Sequence, residues 1–250
     1  FLCAVFFFTI QIYCDFSGYS DIARGCAKLM GIELMENFRS PYFASSIREF
    51  WSRWHISLST WFRDYVYIPL GGNRCSKLRH YMNLMITFIV SGLWHGANWT
   101  FILWGAVHGI GQVIEDIFTR RKNQVPTGLV WLLRTAVTFI FCSSAWIIFR
   151  ANNITEAVYI FKNMFTGIEN PIFYMRQGFR YVNIPRFSFI SICVMMSALF
   201  IHDYVQIKGK NYVFGSAGKT VRWLAYLAVG LAIIFFSPKG VATEFVYFQF

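Results

Sequence analysis

Two histidines in apolar surroundings are the side chains of this sequence best suited to chemistry. His95 lies in the segment 91–99 (SGLWHGANW), between two apolar stretches, and His55 lies upstream in a segment rich in Trp, Ser and Arg. An ionisable side chain at membrane depth is costly, and it normally faces a protein interior or a water-filled cavity, where it marks a functional site. Because histidine titrates near neutral pH, either residue could act as general base for a hydroxyl that attacks a thioester or ester.

The residues around His95 fit such a reaction, but they do not require it. Asn98, the indole N–H of Trp94 and the backbone amides beside Gly96 could stabilise a developing oxyanion. The alternative is a buried neutral histidine that is hydrogen-bonded to a neighbour. The spacing alone leaves both interpretations open.

Several other reaction classes lack their sequence patterns. His108 follows His95 by 13 residues, which is neither an HxxxH nor an HExxH pair, so no metal site is expected. The six cysteines show no CxxC pairing and are interpreted as free thiols. No GxSxG elbow, Walker motif or Rossmann fingerprint is present.

The composition predicts a polytopic, all-α membrane protein. Of the 250 residues 56% are hydrophobic and only 14% are charged, whereas soluble domains carry roughly 25% charged residues. The net charge of +11 comes from short groups between apolar stretches rather than from one soluble face, which argues against nucleic acid as a partner. Such loops are typical of the cytoplasmic side and attract anionic lipid headgroups. We therefore place 73–80, 120–122 and 208–222 in the cytoplasm.

Hydropathy predicts the following elements, at about 20 apolar residues per crossing. A first helix runs to about residue 13, and 15–21 is too polar for lipid and leads into a short helix that ends near residue 30. The region 151–186 is expected on the external membrane surface, with a weak helix at 154–165, and the aromatic tail 245–250 at an interface. The remaining predicted helices are 47–67, 81–94, 99–118, 128–149, 187–205 and 222–236.

The two histidine segments make different demands on these helices. A helix over 47–67 would carry an apolar stripe and two polar rows, one of which contains His55, so it either lies at the interface or lines a polar cavity. The apolar segment 81–94 spans only about 20 Å at 1.5 Å per residue, so the turn at His95 is expected inside the membrane. Non-helical backbone at that depth must be buried in protein or line a cavity.

Three segments carry a resemblance to a known family, namely 11–21 (QIYCDFSGYSD), 49–74 (EFWSRWHISLSTWFRDYVYIPLGGNR) and 91–99. They resemble the membrane-bound O-acyltransferase family, in the branch of the bacterial alginate O-acetyltransferases, close to the teichoic-acid D-alanylation acyltransferases. The motifs cover about 10–110, with weaker similarity to the end. The resemblance implies a multi-helix membrane fold around a central tunnel.

The resemblance also implies roles for individual residues. His95 falls on the principal histidine of the family and His55 on its second signature position, so both are expected to be catalytic. Local helix capping is an equal alternative for the three polar residues of the first segment. The candidates for lining the tunnel are Trp94, Asn98, Ser59, Asp15, Ser17 and Asp21, and the expected structural ion-pairing residues are Arg53, Arg63 and Asp64.

The implied reaction is transfer of an acyl group, such as acetyl, across the bacterial inner membrane. The donor would be a cytoplasmic thioester, acetyl-CoA or another, with no bound cofactor. The acceptor would be a cell-envelope polysaccharide such as alginate, reached directly or through exported partner proteins. D-alanyl transfer to teichoic acid, a transporter or channel with a histidine-lined pathway, and a non-catalytic scaffold stay open as alternatives.

The length of the chain bears on its completeness. Family members are nearly twice as long, and the sequence begins inside an apolar run. We expect one membrane domain over 1–250 that forms the C-terminal portion of a longer chain, without the N-terminal helices.

Overall fold

A computed structural model describes residues 1–118, 127–182, 185–209 and 218–237 of the chain. Within these residues the secondary structure is helical, and the sole β-type pairing is an isolated bridge between Phe38 and Trp54. The chain divides into two compact units, Phe1–Arg186 and Phe187–Phe250. The basic group 120–122, most of the third basic loop and the aromatic tail 245–250 lie outside the described residues.

Five described helices are long and apolar enough to cross a membrane, which confirms the prediction of a polytopic all-α membrane protein. The first unit holds three of them and the second unit two. They are α1 (Leu2–Leu29), α5 (Trp99–Phe118), α6 (Gly128–Arg150), α9 (Arg186–Ile207) and α10 (Lys219–Phe236).

The first helix is continuous, so the predicted interruption at 15–21 is wrong. At 28 residues, α1 is about 42 Å long, more than the hydrocarbon core of about 30 Å. The polar half of α1 can therefore extend beyond the hydrocarbon core as a continuation of the same helix. Asp21 pairs with Arg24 at 3.0 Å, an i,i+3 contact that supports helical geometry.

The single helix predicted over 47–67 is also wrong. The structure has α2 (Ile47–Arg53), then α3 (Ile56–Phe62), then one π-helical turn (Arg63–Tyr67). Between the two α-helices Trp54 is extended and His55 is left-handed, because this stretch pairs with the preceding loop. The predicted apolar stripe is therefore not one continuous face.

The α4–α5 hairpin contains the turn at His95. The fourth helix, α4, spans Lys77–His95, beginning four residues before the predicted start, where Ser76 Oγ accepts from Arg79 N. At 19 residues it is about 28 Å long, so the predicted shortness of this segment is wrong. The bounds predicted for α5 are confirmed.

The region 151–186 is more regular than predicted. It contains α7 (Ile154–Asn163), close to the expected weak helix, and α8 (Pro171–Val182), which was not predicted. Asn153 Oδ1 caps α7 by accepting from Glu156 N at 2.9 Å.

The core of the first unit forms where α5 meets its neighbours. Helix α4 packs along α5. Helices α2 and α6 also contact α5, and α1 lies against α6. Large aromatic side chains fill the centre, and the rings of Trp104 and Trp146 stack at 5.8 Å. The fully buried aromatic side chains here are Trp54, Trp104, Trp146, Phe50 and Phe149.

Candidate active site

His95 is the last residue of α4 and is positioned by close packing of that helix on α5. A Cβ atom at Gly92 would lie 2.2 Å from the carbonyl oxygen of Phe101, and one at Gly105 would lie 2.2 Å from that of Phe88. Only glycine permits this approach of the two backbones. The hairpin thereby fixes the end of α4 on which the imidazole stands.

The ring of His95 lies in an aromatic pocket. Its centroid is 5.2 Å from that of Trp104, 5.1 Å from that of Phe149 and 5.0 Å from that of Trp94, all close to perpendicular. Gly96 ends the helix with a φ of 154°, a value that side chains rarely adopt. The imidazole is therefore held among rings from α4, α5 and α6.

Asn98 fixes the turn that follows His95. Its Oδ1 accepts from Thr100 N at 3.1 Å, which caps α5, and its Nδ2 donates to Asn152 O at 3.1 Å. Glu156 holds Asn152 in turn, because Glu156 Oε2 accepts from both the backbone N and the side-chain Nδ2 of Asn152. The side chain of Asn98 thus has a structural task, and its predicted oxyanion role stays a prediction.

His55 lies at the break between α2 and α3, in a left-handed conformation with φ of 45°. Hydrogen bonds to Asn37 hold the break: Ile56 N donates to Asn37 O, and Ser57 N and Oγ donate to Asn37 Oδ1. The imidazole packs edge-on against Phe16 of α1 at 4.6 Å. Burial lowers the pKa of His55 from 6.5 to about 4, so the ring is neutral at physiological pH.

The structure brings the two predicted histidines together. The ring of Trp94 is 5.0 Å from His95 and 6.2 Å from His55, so it lies in contact range of both. Two histidines from separate sequence segments therefore lie in contact range of the same indole ring.

A cavity of about 1050 Å³ lies next to this location. Neither histidine lines it, but Ile56 and Ser59 beside His55 do, as does Ser91, which precedes His95 by one helical turn. Ser59 Oγ donates to Trp54 O at 3.1 Å. The cavity wall also includes three basic side chains, Arg48, Arg63 and Lys77.

A chain of polar contacts spans the basic end of the cavity. Arg48 Nη2 donates to Asp116 Oδ1 at 2.6 Å, and Asp116 Oδ2 lies 3.8 Å from His80 Nε2. His80 Nδ1 is 2.8 Å from the hydroxyl of Tyr67, whose pKa is raised by burial. The neighbouring carboxylate of Glu115 accepts from Ile47 N at 2.7 Å. These contacts tie α2, the π-helical turn, α4 and α5 together.

The remaining predicted site residues lie on α1, outside the cavity wall, or form ion pairs. Asp15 and Ser17 are partly exposed on α1, and Asp21 is exposed; none of the three lines the cavity. Arg53 Nη2 donates to Glu49 Oε1 at 2.5 Å, and Arg63 Nε donates to Asp64 Oδ1 at 2.7 Å. The Arg63 guanidinium lowers the pKa of Asp64. In the described residues no group of three or more His, Cys, Asp or Glu could hold a metal ion.

Sequence reasoning missed several residues that build the site. Asn37 holds the break at His55 by accepting from Ser57, 20 residues along the chain, and no local pattern indicates that contact. Asp116 and Glu115 are the only acidic residues of the apolar helix α5, a signal that could have marked them as partners of basic groups. His108, for which the spacing predicts no metal role, accepts a hydrogen bond from Trp51.

Comparison with known proteins supplies the family and its relatives. The profile of the membrane-bound O-acyltransferase family matches residues 1–155. The chain is 49% identical over 160 residues to a probable alginate O-acetylase, AlgI, of Pseudomonas aeruginosa, covering 64% of this chain and 30% of that protein.

Two further relatives differ in what their names say they transfer or modify. The peptidoglycan O-acetyltransferase of Helicobacter pylori is 35% identical over 260 residues, covering 97% of this chain and 48% of that protein. A teichoic acid D-alanyltransferase of Streptococcus thermophilus is 39% identical over 128 residues, covering 48% of this chain and 31% of that protein. The chain thus spans about half or less of the length of these relatives.

Proposed function

The chain belongs to the membrane-bound O-acyltransferase family, and we propose that the protein of which it is part moves an acyl group, acetyl in the first place, across the bacterial inner membrane. The donor is a cytoplasmic thioester. The acceptor is a hydroxyl of a cell-envelope polysaccharide such as alginate, acetylated directly or through exported partner proteins. One observation carries the proposal, namely that His95 and His55 meet around Trp94 beside a large cavity.

The chemistry assigns His95 the role of general base. Its imidazole takes the proton from the acceptor hydroxyl while the hydroxyl oxygen attacks the thioester carbonyl carbon. The C–S bond then breaks as the new C–O bond is completed, and the proton on His95 passes to the departing thiolate. His55, neutral because its pKa is lowered to about 4, is the second base beside the reacting atoms.

The cavity suits a thioester donor with a phosphorylated carrier, such as acetyl-CoA. Lys77 can pair with phosphate oxygens by charge-assisted hydrogen bonds, and the exposed guanidinium groups of Arg48 and Arg63 can do so by sharing or exchanging their ion pairs with Asp116 and Asp64. Serines at 52, 59 and 91 also line the wall and offer hydroxyls to the amides of a pantetheine arm. The volume of about 1050 Å³ is at the upper end of ligand pockets.

The basic loop supports entry of the donor from the cytoplasm. Asn73, Cys75 and Lys77 line the cavity, and they belong to the basic segment 73–80, which runs from the loop into the first turn of α4 and which the positive-inside rule assigns to the cytoplasm. The turn after His95 lies at the opposite end of α4 from this loop. Donor entry at one end and acceptor approach at the other follow from this arrangement.

The names of the relatives support an envelope acceptor without selecting one. They include alginate O-acetylases, a peptidoglycan O-acetyltransferase and teichoic acid D-alanyltransferases. Since the alginate O-acetylases share about 49% identity over 64% of the chain, acetyl transfer to a polysaccharide is the first candidate. D-alanyl transfer to teichoic acid is the second.

The test uses the full-length protein in its membrane, with His95→Ala as the variant. We expect normal insertion and amount but loss of acyl transfer, measured as thioester consumption and by mass analysis of envelope polymers. The matched control is His202→Ala, because His202 is exposed on α9 in the second unit and should leave transfer unchanged. Full activity of His95→Ala would contradict the proposal, as would substrate flux in liposomes without donor consumption, which indicates a transporter.

A further inference from the structure

Trp51 forms part of the cavity wall and belongs to the aromatic core behind it. Its ring lies 5.4 Å from that of Phe88, which also lines the cavity, and 5.7 Å from that of Trp104. Trp104 is in turn 5.2 Å from the ring of His95. Two indoles in contact therefore separate this part of the cavity from the proposed base.

A buried histidine holds Trp51 in this position. Trp51 Nε1 donates to His108 Nδ1 at 3.2 Å, and His108 is fully buried. Because Nδ1 accepts, a neutral His108 carries its proton on Nε2, which has no hydrogen-bond partner in the part of the chain that the structure describes. A histidine retained here at the cost of an unpaired buried N–H needs a reason, and the hydrogen bond to Trp51 supplies one.

The orientation of His108 is itself fixed by packing. Its ring stacks at 6.4 Å on Phe50 and at 6.3 Å on Phe88, and it meets Phe141 edge-on at 5.4 Å. The imidazole is therefore enclosed by α2, α4 and α6 and cannot turn away from Trp51 without displacing these rings. The hydrogen bond from Trp51 Nε1 to His108 Nδ1 therefore also restricts the orientation of the Trp51 indole.

Trp51 bounds the cavity at the part of its wall that approaches His95. Ser91, the cavity-lining residue of α4 nearest to His95 in the chain, precedes His95 by one helical turn, a rise of about 6 Å, and Phe88, whose ring contacts Trp51, lies about one turn earlier. Each methylene added to an acyl group in this part of the cavity must therefore be accommodated against the Trp51 indole. A rigid wall is what allows a pocket to reject extra methylenes, each of which is typically worth about 10-fold or more in specificity.

We propose that Trp51 limits the length of the acyl group that the cavity presents to His95, and that His108 is the positioning residue that holds Trp51 in place. The inference rests on the proposed acyl-transfer function and deepens it, because it assigns the preference for a short acyl chain to two named side chains.

The first experiment measures acyl-chain preference in the full-length protein. Acetyl-, butyryl- and hexanoyl-coenzyme A are compared as donors by thiol release, for the wild type and for Trp51→Ala and Trp51→Phe. We expect Trp51→Ala to raise the hexanoyl-to-acetyl ratio of kcat/KM by about tenfold or more, with a smaller rise for Trp51→Phe. The control, Trp61→Ala, replaces a half-exposed indole of α3 that does not line the cavity and should leave the ratio unchanged.

The second experiment separates positioning by His108 from a merely structural role. His108→Phe keeps an aromatic ring but removes the acceptor, and His108→Asn keeps an acceptor near the position of Nδ1. We expect His108→Phe to raise the hexanoyl-to-acetyl ratio in the same direction as Trp51→Ala, and His108→Asn to restore the wild-type ratio. A purely structural role would lower the amount of folded protein without changing the ratio.

The outcomes distinguish this inference from the function on which it rests. An active wild type whose ratio is unchanged in both Trp51 variants overturns the inference alone, as do His108→Phe and His108→Asn variants that behave alike. A wild type that releases no thiol from any donor overturns the proposed donor and this inference with it.

Discussion

The two histidines are positioned by different means. His95 stands at the end of a 19-residue helix whose backbone touches that of α5 at Gly92 and Gly105. His55 stands between two seven-residue helices, in a left-handed conformation kept by hydrogen bonds to a distant loop. His95 is held by packing of long helices, and His55 is held by hydrogen bonds to a short polar segment.

This difference has consequences for stability. Packed helix pairs resist solvent, salt and pH, because apolar burial and backbone contact do not titrate. A left-handed residue other than glycine stores about 1–3 kcal/mol of strain and persists only where its surroundings enforce it. We therefore expect the packing that positions His95 to be disrupted by added side-chain volume. We expect the conformation at His55 to be destabilised by protonation of the imidazole.

The largest effect is expected from a methyl group in the α4–α5 contact. In Gly105→Ala the new Cβ would meet the carbonyl oxygen of Phe88 at 2.2 Å, which forces the helices apart. Overpacking that shifts backbone typically costs about 1–3 kcal/mol and occasionally more, and this clash with a carbonyl oxygen should lie at the upper end. Thermal unfolding of the full-length protein in detergent should show a large drop in Tm, together with loss of acyl transfer.

Gly25→Ala is the matched control for this change. Gly25 lies in α1 with nothing within 4 Å of an added Cβ, so the substitution should be neutral or stabilising by up to about 1 kcal/mol. If Gly105→Ala were as stable as Gly25→Ala, close backbone packing would not be what positions His95.

The next effect concerns His55 and pH. The folded-state pKa of His55 is about 4, below its ordinary value of 6.5, so the unfolded chain binds the proton first as the pH falls. The contribution to stability is complete above about pH 6.5 and is lost by about pH 4, with a total of about 3 kcal/mol. Unfolding midpoints measured from pH 7 to pH 4 should fall less steeply in His55→Gln than in the wild type.

Trp61→Phe is the control for that comparison, since Trp61 is a half-exposed side chain of α3 that carries no proton-binding group. It should keep the pH slope of the wild type. A His55→Gln variant with the wild-type slope would contradict the assignment, because another group would then carry the pH dependence.

The same difference explains what the sequence could predict. The bounds of α5 and the turn at Gly96 follow from local patterns of hydropathy and glycine, whereas α4 begins four residues before its predicted start, in a segment that its basic residues marked as a loop. The break at His55 depends on Trp54 pairing with Phe38 and on Asn37, contacts that no periodicity within 47–67 contains. Tertiary hydrogen bonds overrode a good helical pattern there.

The cavity shows the same limit. Arg48, Asp116 and His80 meet across 68 residues of chain, so their contact could not be inferred from spacing. The predicted tunnel followed from the family resemblance, and the structure shows a cavity whose wall stops one turn short of His95.

The smallest effect is expected where the His95 turn is held by polar contacts instead of packing. Glu156 Oε2 accepts from Asn152 N at 2.9 Å and from Asn152 Nδ2 at 2.8 Å, and these bonds lower the pKa of Glu156. Because the carboxylate is exposed, water competes for both donors, and Glu156→Gln should reduce acyl transfer by less than about threefold.

The pH dependence makes this last comparison sharper. Since the pKa of Glu156 is lowered in the folded state, its contribution to the stability of the turn is present above its ordinary pKa and is lost as the pH falls. The acyl-transfer rates of the wild type and Glu156→Gln should therefore converge in acid. Glu169→Gln, at an exposed position in the same region, is the control and should match the wild type throughout. A tenfold or greater loss of acyl transfer in Glu156→Gln would mean that the hydrogen bonds through Asn152 and Asn98, and not the contact of α4 with α5, set the position of His95. Both histidines would then be positioned by polar contacts, which contradicts the difference proposed between them.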